Sequence, residues 1–323
     1  MQSKISLPRD EGPQKDPVEW WYWNGRLDDG MGGEYAYMLA LFKAGLIGIK
    51  DVYFMHWQVS DLTNKTFRSH FKTFWLGLDK GSFAKRELKA SAEKEFSIRK
   101  TGKNDFHIVT PQFDLMLSSG KKPLLAGGTG SVDLVTSTTK CYSLTRLLTS
   151  GKFKVKGKPI PVTGLSWMDH QWSPLTFNDE HAWTWFCFQL KDGTDIMCFE
   201  YGKKIKSRLA TVSRPDGSLE VFPDVRFKHV GKPWISPKSE AAYPTAWQID
   251  IPAAKIHLAC RTLINEQEMV HGPFRYWEGA VDATGTIDGK ETSGQGFLEL
   301  NGVPGKTFTL LLEQALARIR ASV

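Results

Sequence analysis

The chain has 323 residues, enough for one large domain or two of roughly 150 residues each, and its 41% hydrophobic content can supply a full core. This composition excludes a disordered chain. The net charge of +7 is compatible with nucleic-acid binding, but no nucleic-acid-binding motif accompanies it, so we expect no such partner.

The amino-terminal region begins with an aromatic stretch, EWWYWNGRL, at residues 19–27. This stretch and the Asp-Gly pair at residues 29–30 together predict a β-hairpin. A strict two-residue loop would place Trp23 opposite Ala36. Because successive strand residues point to opposite faces, some of the aromatic residues 20–23 should contact a ligand and the others should pack in the core.

The segment GKFKVKGKPI, residues 151–160, alternates basic and apolar side chains. Its lysines occupy every second position from Lys152 to Lys158, and Phe153 and Val155 lie between them. The alternation predicts a strand with one solvated face rather than a nucleic-acid patch.

A second hairpin is predicted at the Asp-Gly pair of residues 192–193. A two-residue loop there places Trp185 opposite Glu200 and Cys187 opposite Cys198. Cross-strand cysteines at such a site are close enough for a disulfide. Since nothing indicates an oxidising compartment, we expect reduced thiols.

A third hairpin is predicted at the Asp-Gly pair of residues 288–289, which places Gly279 opposite Leu298. Its first strand contains YWEGAV at residues 276–281, which echoes YWNGRL at residues 22–27. The echo would fit two related β-units, although one short match can also arise by chance.

The carboxyl-terminal segment, residues 307–323, has the apolar periodicity of a helix. No βαβ alternation is present, so the fold class predicted from the residues is all-β. No stretch is long enough to span a membrane, and no apolar signal core is present, so we expect a cytoplasmic protein. An export signal removed before this chain begins would also fit.

The stretch WMDHQWSP places Asp169 between Trp167 and Trp172, with His170 adjacent. Hydration of an alkene needs a carboxylic acid that an apolar setting keeps protonated, and a surface that stabilises a carbocation. Indole rings supply both conditions. We therefore interpret Asp169 as a general acid, His170 as a group that orients it or activates water, and Trp172 as a cation-lining residue.

A structural interpretation of the same stretch stays open, because a buried Asp-His pair can tie a strand end to a loop. Asp169 and His170 can enter one lumen only if the backbone turns between them, and Pro174 indicates a nearby turn. Glu200 is the second acid candidate, since it is predicted to face Trp185 next to Trp183.

Glu19 and Glu278 each lie within an aromatic strand and should be buried, so each needs a partner. Arg26, Arg146 or Arg275 could supply it. A structural ion pair is the favoured interpretation, with contact to a ligand as the alternative.

Four blocks carry a resemblance to a known family. They are EWWYWNGRL at residues 19–27, WMDHQWSP at 167–174, YPTAWQIDIP at 243–252 and YWEGAVDATGTIDGKETSGQGFLELNG at 276–302. In this order they resemble the AttH-like and hydroxyneurosporene synthase family, the carotenoid 1,2-hydratase group.

The resemblance implies two lipocalin-like antiparallel β-barrels packed together, with a ligand site near their junction. We assign residues 1–202 to the first barrel and 203–323 to the second, which would end in the predicted helix. A family hydratase pattern has a His-x-Trp pair followed about 30 residues later by an acidic residue. His170 and Trp172 match the pair, and Glu200 matches the acid loosely.

The resemblance also implies an activity. Relatives in this family hydrate isoprenoid double bonds or guide intramolecular Diels–Alder cyclisations, so the fold is better specified than the reaction. We expect a cofactor-free enzyme that hydrates an apolar, isoprenoid-like substrate; a pericyclase and a non-catalytic lipid or pigment carrier are the alternatives. The eight histidines show no metal-ligand spacing, so no metal is expected. The candidate catalytic residues are Asp169, His170 and Glu200, and the candidate substrate contacts are Glu19, Trp21, Tyr22, Trp23, Trp172, Trp183, Trp185, Trp277 and Glu278.

Overall fold

The structure is a computed structural model that describes residues 5–45, 52–75, 82–83, 88–92, 95–134, 137–174, 182–271 and 274–305. Two curled antiparallel sheets contain nearly all of the strands described, which confirms the all-β fold class. The helix predicted for residues 307–323 lies outside the described residues.

The first sheet is built from the strands β1 Val18–Asp28, β2 Glu34–Ala44, β3 Val52–Asp61, β4 Thr66–Trp75, β5 Ser82–Phe83, β6 Lys89–Ala92, β7 Phe96–Lys100, β8 Asp105–Val109, β9 Phe113–Ser119, β10 Leu124–Leu125, β11 Ser131–Asp133, β12 Thr138–Val155 and β13 Lys158–Ser173. Its main path runs β4-β3-β2-β1-β13-β12-β9-β8-β7-β6-β5. The exposed lysines of the β12–β13 hairpin confirm its predicted solvated face.

The second sheet is built from β14 Trp183–Leu190, β15 Asp195–Tyr201, β16 Ser207–Ser213, β17 Leu219–Phe222, β18 Arg226–His229, β21 Ala246–Ile251, β22 Ile256–Thr262, β23 Glu268–His271, β24 Phe274–Ile287 and β25 Lys290–Asn301. Its main path runs β17-β16-β15-β14-β25-β24-β22-β21-β18. The short strands β19 Trp234–Ile235 and β20 Ala242–Tyr243 pair separately, and single 3-10 turns occupy Ala126–Gly128 and Pro252–Ala254.

The change from one sheet to the other falls between Ser173 and Trp183. The strands β14 and β15, which precede residue 202, belong to the second sheet. No helix among the described residues has the length and apolar character needed to cross a membrane.

Two of the three predicted hairpin registers are wrong. Gly279 does pair with Leu298, as a two-residue turn requires. Trp23 instead pairs with Leu39, because residues 29–33 form a longer loop. Trp185 pairs with Phe199, one residue from the prediction, because a four-residue loop connects β14 to β15.

The three apolar clusters of the molecule follow from strand alternation. One fills the curve of the first sheet and contains Trp21 and Trp23, and another fills the second sheet and contains Trp277. The third lies between the sheets and contains Tyr22 and Trp167. We call it the inter-sheet layer. All four cysteines are free, and Cys187 and Cys198 point into different clusters.

Candidate functional site

The inter-sheet layer contains a row of polar side chains on the first sheet. Cross-strand pairing aligns Ser143 of β12, Asp169 of β13, Tyr22 of β1 and His56 of β3, with Ala40 of β2 between the last two. Because directly paired residues point to the same face, these side chains all face the second sheet.

A matching row lies on the second sheet. Glu278 of β24 pairs with Glu299 of β25, which in turn pairs with Trp185 of β14. Two carboxyl groups are therefore direct cross-strand neighbours, an arrangement that repels when both are ionised. Trp185 continues the row with an aromatic face.

Hydrogen bonds join the two rows. The Tyr22 hydroxyl donates to the carboxylate of Glu278, and the Asn24 Nδ2 donates to the same hydroxyl oxygen at 3.0 Å. The Gln58 Nε2 donates to the backbone oxygen of Glu278 at 3.1 Å. The bonds from Tyr22 and from Gln58 to Glu278 join residues more than 200 positions apart and hold the two sheets together at this row.

A second polar contact crosses the layer beside the rows. The Nδ1 atom of His56 lies 2.9 Å from the Tyr276 hydroxyl, and the two rings stack with centroids 5.7 Å apart. Burial, reinforced by repulsion from His271, lowers the pKa of His56 to about 3. The imidazole is therefore neutral and can take part in a hydrogen bond without adding a positive charge.

Asp169 is buried at this junction with 5% of its surface exposed. The indole N–H of Trp167 donates to its Oδ1 at 2.6 Å, and the Ser143 hydroxyl is a further partner. Burial raises the pKa of Asp169 from 3.8 to about 7, and the two hydrogen bonds only partly oppose this effect. The carboxyl group can therefore hold or release a proton near neutral pH.

The two glutamates of the second row also have raised pKa values. Burial, followed by repulsion from Glu299, raises the pKa of Glu278 well above its ordinary value. Burial raises the pKa of Glu299 to about 7, with a hydrogen bond from Trp183 opposing and the charge of Asp169 adding to the shift. Among the described residues, no Lys or Arg is a cause of either shift or of the Asp169 shift.

The layer is not sealed around Glu299. Trp183, Trp185 and Glu299 keep partial solvent exposure, although most residues around them are buried. The Trp185 ring makes edge contacts with Tyr22 at 5.7 Å and with Trp167 at 6.4 Å between centroids. We call the region around these three partly exposed side chains the inter-sheet cleft. Its indole faces can stabilise a positive charge that develops on a bound molecule.

His170 does not reach the inter-sheet cleft. As strand alternation requires, it points away from Asp169 into the first sheet, where its Nε2 lies 2.8 Å from the Glu19 Oε1. Trp21 stacks on the imidazole at 4.6 Å and Trp172 contacts it at 4.7 Å between centroids. Burial is the main cause that lowers the pKa of His170, against the charge of Glu19.

The partner of Glu19 is a lysine rather than one of the arginines expected from the sequence. Lys43 Nζ lies 3.1 Å from the Glu19 Oε2, and both side chains are buried. The backbone N–H of Gln14 also donates to this carboxylate, at 2.9 Å. The network anchors the amino-terminal segment against the first sheet. It supports the structural interpretation of Glu19.

Glu278 also lacks the arginine partner expected for it. Arg26 pairs with Asp282, and Arg275 lies 3.6 Å from Glu268. Arg146 pairs with Asp195 at 2.9 Å. The prediction of an arginine partner is wrong, because Glu278 faces Tyr22 across the sheets and is the cross-strand neighbour of Glu299.

The surroundings of Glu200 differ from those expected of a proton donor. Its register partner is Thr184 rather than Trp185. It pairs with Lys206 Nζ at 2.9 Å and Arg208 Nε at 2.7 Å. Burial alone would raise the pKa of Glu200. Hydrogen bonds and charges from the two cations outweigh burial and lower this pKa below its ordinary value. The carboxylate is therefore ionised at neutral pH.

The remaining sequence-predicted contacts lie behind the site. Trp21 and Trp23 are fully buried in the first sheet, and Trp277 is fully buried in the second, where its Nε1 donates to the Asn265 oxygen at 2.6 Å. Trp172 borders a separate surface groove of about 350 Å³ near Lys140. Of the predicted contacts, Tyr22, Trp183, Trp185 and Glu278 lie at the cleft, and Tyr22 is the cross-strand neighbour of Asp169.

Four residues of the site were not predicted from the sequence: Asn24, His56, Tyr276 and Glu299. A signal was available for Glu299, which stands between Leu298 and Leu300 as a lone carboxylate in an apolar strand. No group of three or more His, Cys, Asp or Glu in the part of the chain the structure describes is arranged to hold a metal ion.

Comparison with known proteins gives consistent matches. A family model described as AttH-like matches residues 1–303. The chain is 27% identical over 278 residues to "Dehydratase asqC" of Emericella nidulans, covering 78% of this chain and 77% of that protein. It is 23% identical over 199 residues to "Kievitone hydratase" of Fusarium solani subsp. phaseoli, covering 58% of this chain and 56% of that protein.

Two crystal structures share the fold. One is assigned as an AttH protein of Nitrosomonas europaea, with a TM-score of 0.82 and 24% identity, covering 94% of this chain and 98% of that one. The other is kievitone hydratase from Nectria haematococca, with a TM-score of 0.77 and 16% identity, covering 92% of each chain. At these identities the likeness concerns the fold alone.

Proposed function

Since the chain belongs to the AttH-like family, we propose that it adds or removes water at a carbon–carbon double bond in the inter-sheet cleft. One observation carries this proposal: Asp169 is a buried carboxyl group next to indole rings, and no cation is among the hydrogen-bonding partners that the described residues give it. The names of the two relatives, a dehydratase and a hydratase, support the same reaction class.

Asp169 is the proposed proton donor. Its proton adds to one alkene carbon, and the cation that forms on the adjacent carbon is stabilised by the faces of Trp183 and Trp185. A water molecule then attacks the cation and loses a proton to complete the alcohol. Dehydration follows the same steps in reverse. Tyr22 and Glu278 line the same cleft.

The proposed substrate is apolar and isoprenoid-like. The inter-sheet layer is dominated by apolar side chains, among them Met38, Ala40, Met197 and Phe297. Such a lining favours a hydrocarbon over a charged molecule. Glu19, Trp21, Trp23, His170, Trp172 and Trp277 are then residues that support the cleft from behind its two sheets.

The test is turnover in water labelled with ¹⁸O. The protein is incubated with kievitone, the compound named by one relative, and with isoprenoid alkenes, and mass spectrometry follows incorporation of one labelled oxygen. Asp169→Asn should lower the rate by about 100-fold or more, whereas Glu200→Gln should retain it. Conversion that tolerates Asp169→Asn would favour a pericyclase, and binding of these compounds without conversion would favour a carrier.

A further inference from the structure

The two sheets share a strand plan. A four-strand meander, β1 to β4 in the first sheet and β14 to β17 in the second, begins with a strand that pairs with a hairpin made by β12–β13 or by β24–β25. By this plan β1 corresponds to β14, and β13 corresponds to β25.

Asp169 and Glu299 occupy corresponding places in this plan. Asp169 on β13 is flanked by Tyr22 of β1 and by the β12 strand. Glu299 on β25 is flanked by Trp185 of β14 and by the β24 strand. Both carboxyl groups face the inter-sheet layer, so related positions of the two sheets present one acid each to the same cleft.

The two acids are also electrostatically coupled across the layer. After burial, the charge of Asp169 is a smaller cause that adds to the raised pKa of Glu299 and of Glu278. The hydrogen bond from Tyr22 to Glu278 joins the two rows that carry these acids. Two like-charged groups held close together ionise one after the other, so the pair holds one proton over a range of pH.

We propose that Glu299 is the second proton-transfer residue of the site, acting on the oxygen of water while Asp169 acts on the substrate carbon. This inference rests on the proposed hydration or dehydration activity. Glu299 is assigned the role rather than Glu278, because Glu299 keeps partial exposure beside Trp183 whereas Glu278 is 1% exposed and engaged by Tyr22.

The proton balance closes without a further reactant. In hydration, the Asp169 proton and the alkene π electrons form a C–H bond, and the water oxygen forms the C–O bond to the resulting cation. The Glu299 carboxylate takes the proton that this water loses, and exchange with solvent then removes this proton from Glu299 and returns one to Asp169 before the next turnover. In dehydration, protonated Glu299 gives its proton to the hydroxyl group, the C–O bond breaks with loss of water, and the Asp169 carboxylate removes a proton from the neighbouring carbon.

The coupling is tested first on the full chain without substrate. Carbon-13 labels on the Asp and Glu carboxyl groups report each titration by NMR from pH 4 to pH 9. We expect Glu299→Gln to remove one step near pH 7, and Asp169→Asn to move the Glu299 step down by about one pH unit. Glu200→Gln is the matched control and should leave both steps in place. A Glu299 step that stays unmoved in Asp169→Asn overturns the pairing.

Turnover tests the catalytic role. Hydration requires protonated Asp169 and ionised Glu299, so the rate should be bell-shaped in pH, with Glu299→Gln losing the acidic limb and about 100-fold in rate. Glu299→Asp should restore part of the rate, which a merely structural role would not predict. If the wild type turns over substrate and Glu299→Gln retains that rate within twofold, the role of Glu299 is overturned and the proposed function still stands. Absence of wild-type turnover with every alkene and alcohol instead overturns the proposed function together with the role that rests on it, while the titration still decides the pairing.

Discussion

Replacing Asp169 with asparagine should stabilise the folded protein above pH 7 and leave its stability nearly unchanged at pH 4. In the wild type the pKa of this carboxyl group rises from 3.8 in the unfolded chain to about 7 in the folded one. Between these values the folded state holds a proton that the unfolded state has lost. Folding stability from this group is therefore complete below pH 4 and falls as the pH rises through 7.

The size of the effect follows from the shift. About three pKa units at 1.36 kcal/mol each give about 4 kcal/mol of lost stability in the wild type between pH 4 and pH 8. Asparagine carries no charge at any pH and can still accept the Trp167 hydrogen bond through its Oδ1. The free energy of unfolding of Asp169→Asn should therefore exceed that of the wild type by up to about 4 kcal/mol at pH 8.

The assay is urea denaturation of both proteins at half-unit steps from pH 4 to pH 8, with the difference in unfolding free energy plotted against pH. Asp224→Asn is the control, because Asp224 is an exposed carboxylate paired with Arg226 and its loss should change stability by less than about 1 kcal/mol at every pH. A difference between wild type and Asp169→Asn that stays constant across this range would refute the raised pKa and the proton-donor argument with it.

Three other substitutions test neighbouring features, each by chemical denaturation. Lys43→Met should cost about 3–5 kcal/mol, because it leaves the carboxylate of Glu19 buried without its cation; a loss below 1 kcal/mol would contradict a buried ion pair. Glu200→Gln should change stability by less than about 1 kcal/mol and leave turnover intact, and loss of turnover would restore it as a catalytic candidate. Gly164→Ala should cost about 1–3 kcal/mol, because its Cβ would lie 2.1 Å from the Arg26 carbonyl oxygen, and an unchanged midpoint would contradict that close approach.

An Asp-Gly pair predicts the strand register correctly only where the loop has the two residues that the prediction assumes. The loop between β24 and β25 has two residues, and its register is as predicted. The loop between β14 and β15 is closed by a hydrogen bond from the Leu190 N–H to the Thr194 oxygen, so it is longer. The resulting shift of one residue moves every side chain to the other face. It places Glu200 opposite Thr184 rather than Trp185.

The YWNGRL and YWEGAV echo does not mark equivalent strands. It lies on β1 and β24, whereas the strand plan relates β1 to β14. Each copy contains a glycine at a position where a side chain from another strand or loop packs directly against the backbone. A Cβ on Gly25 would lie 2.4 Å from the Ser166 Oγ, and one on Gly279 would lie 1.7 Å from the Gln267 Nε2. A short sequence match therefore reports a common packing need rather than a common place in the fold.

The aromatic setting of Asp169 could be predicted from the sequence, because Trp167 lies two residues away on the same face of the strand. The protonation of Asp169 could not be predicted from the sequence, because it depends on which charged side chains lie near the carboxyl group in the folded protein. Asp195 is also buried, and burial raises its pKa too, but Lys121 at 2.7 Å and Arg146 at 2.9 Å oppose that shift.

Burial alone therefore does not distinguish a structural carboxylate from a candidate acid in this chain. The distinguishing feature is whether a Lys or Arg side chain forms an ion pair with the buried carboxylate. The chain has an excess of seven positive charges, and it places cations beside Asp195, Glu19 and Glu200. None is a cause of the pKa shifts of Asp169 and Glu299 among the described residues. Burying two acids without a counter-charge costs stability, and an acid–base role in the cleft is a physical reason for accepting that cost.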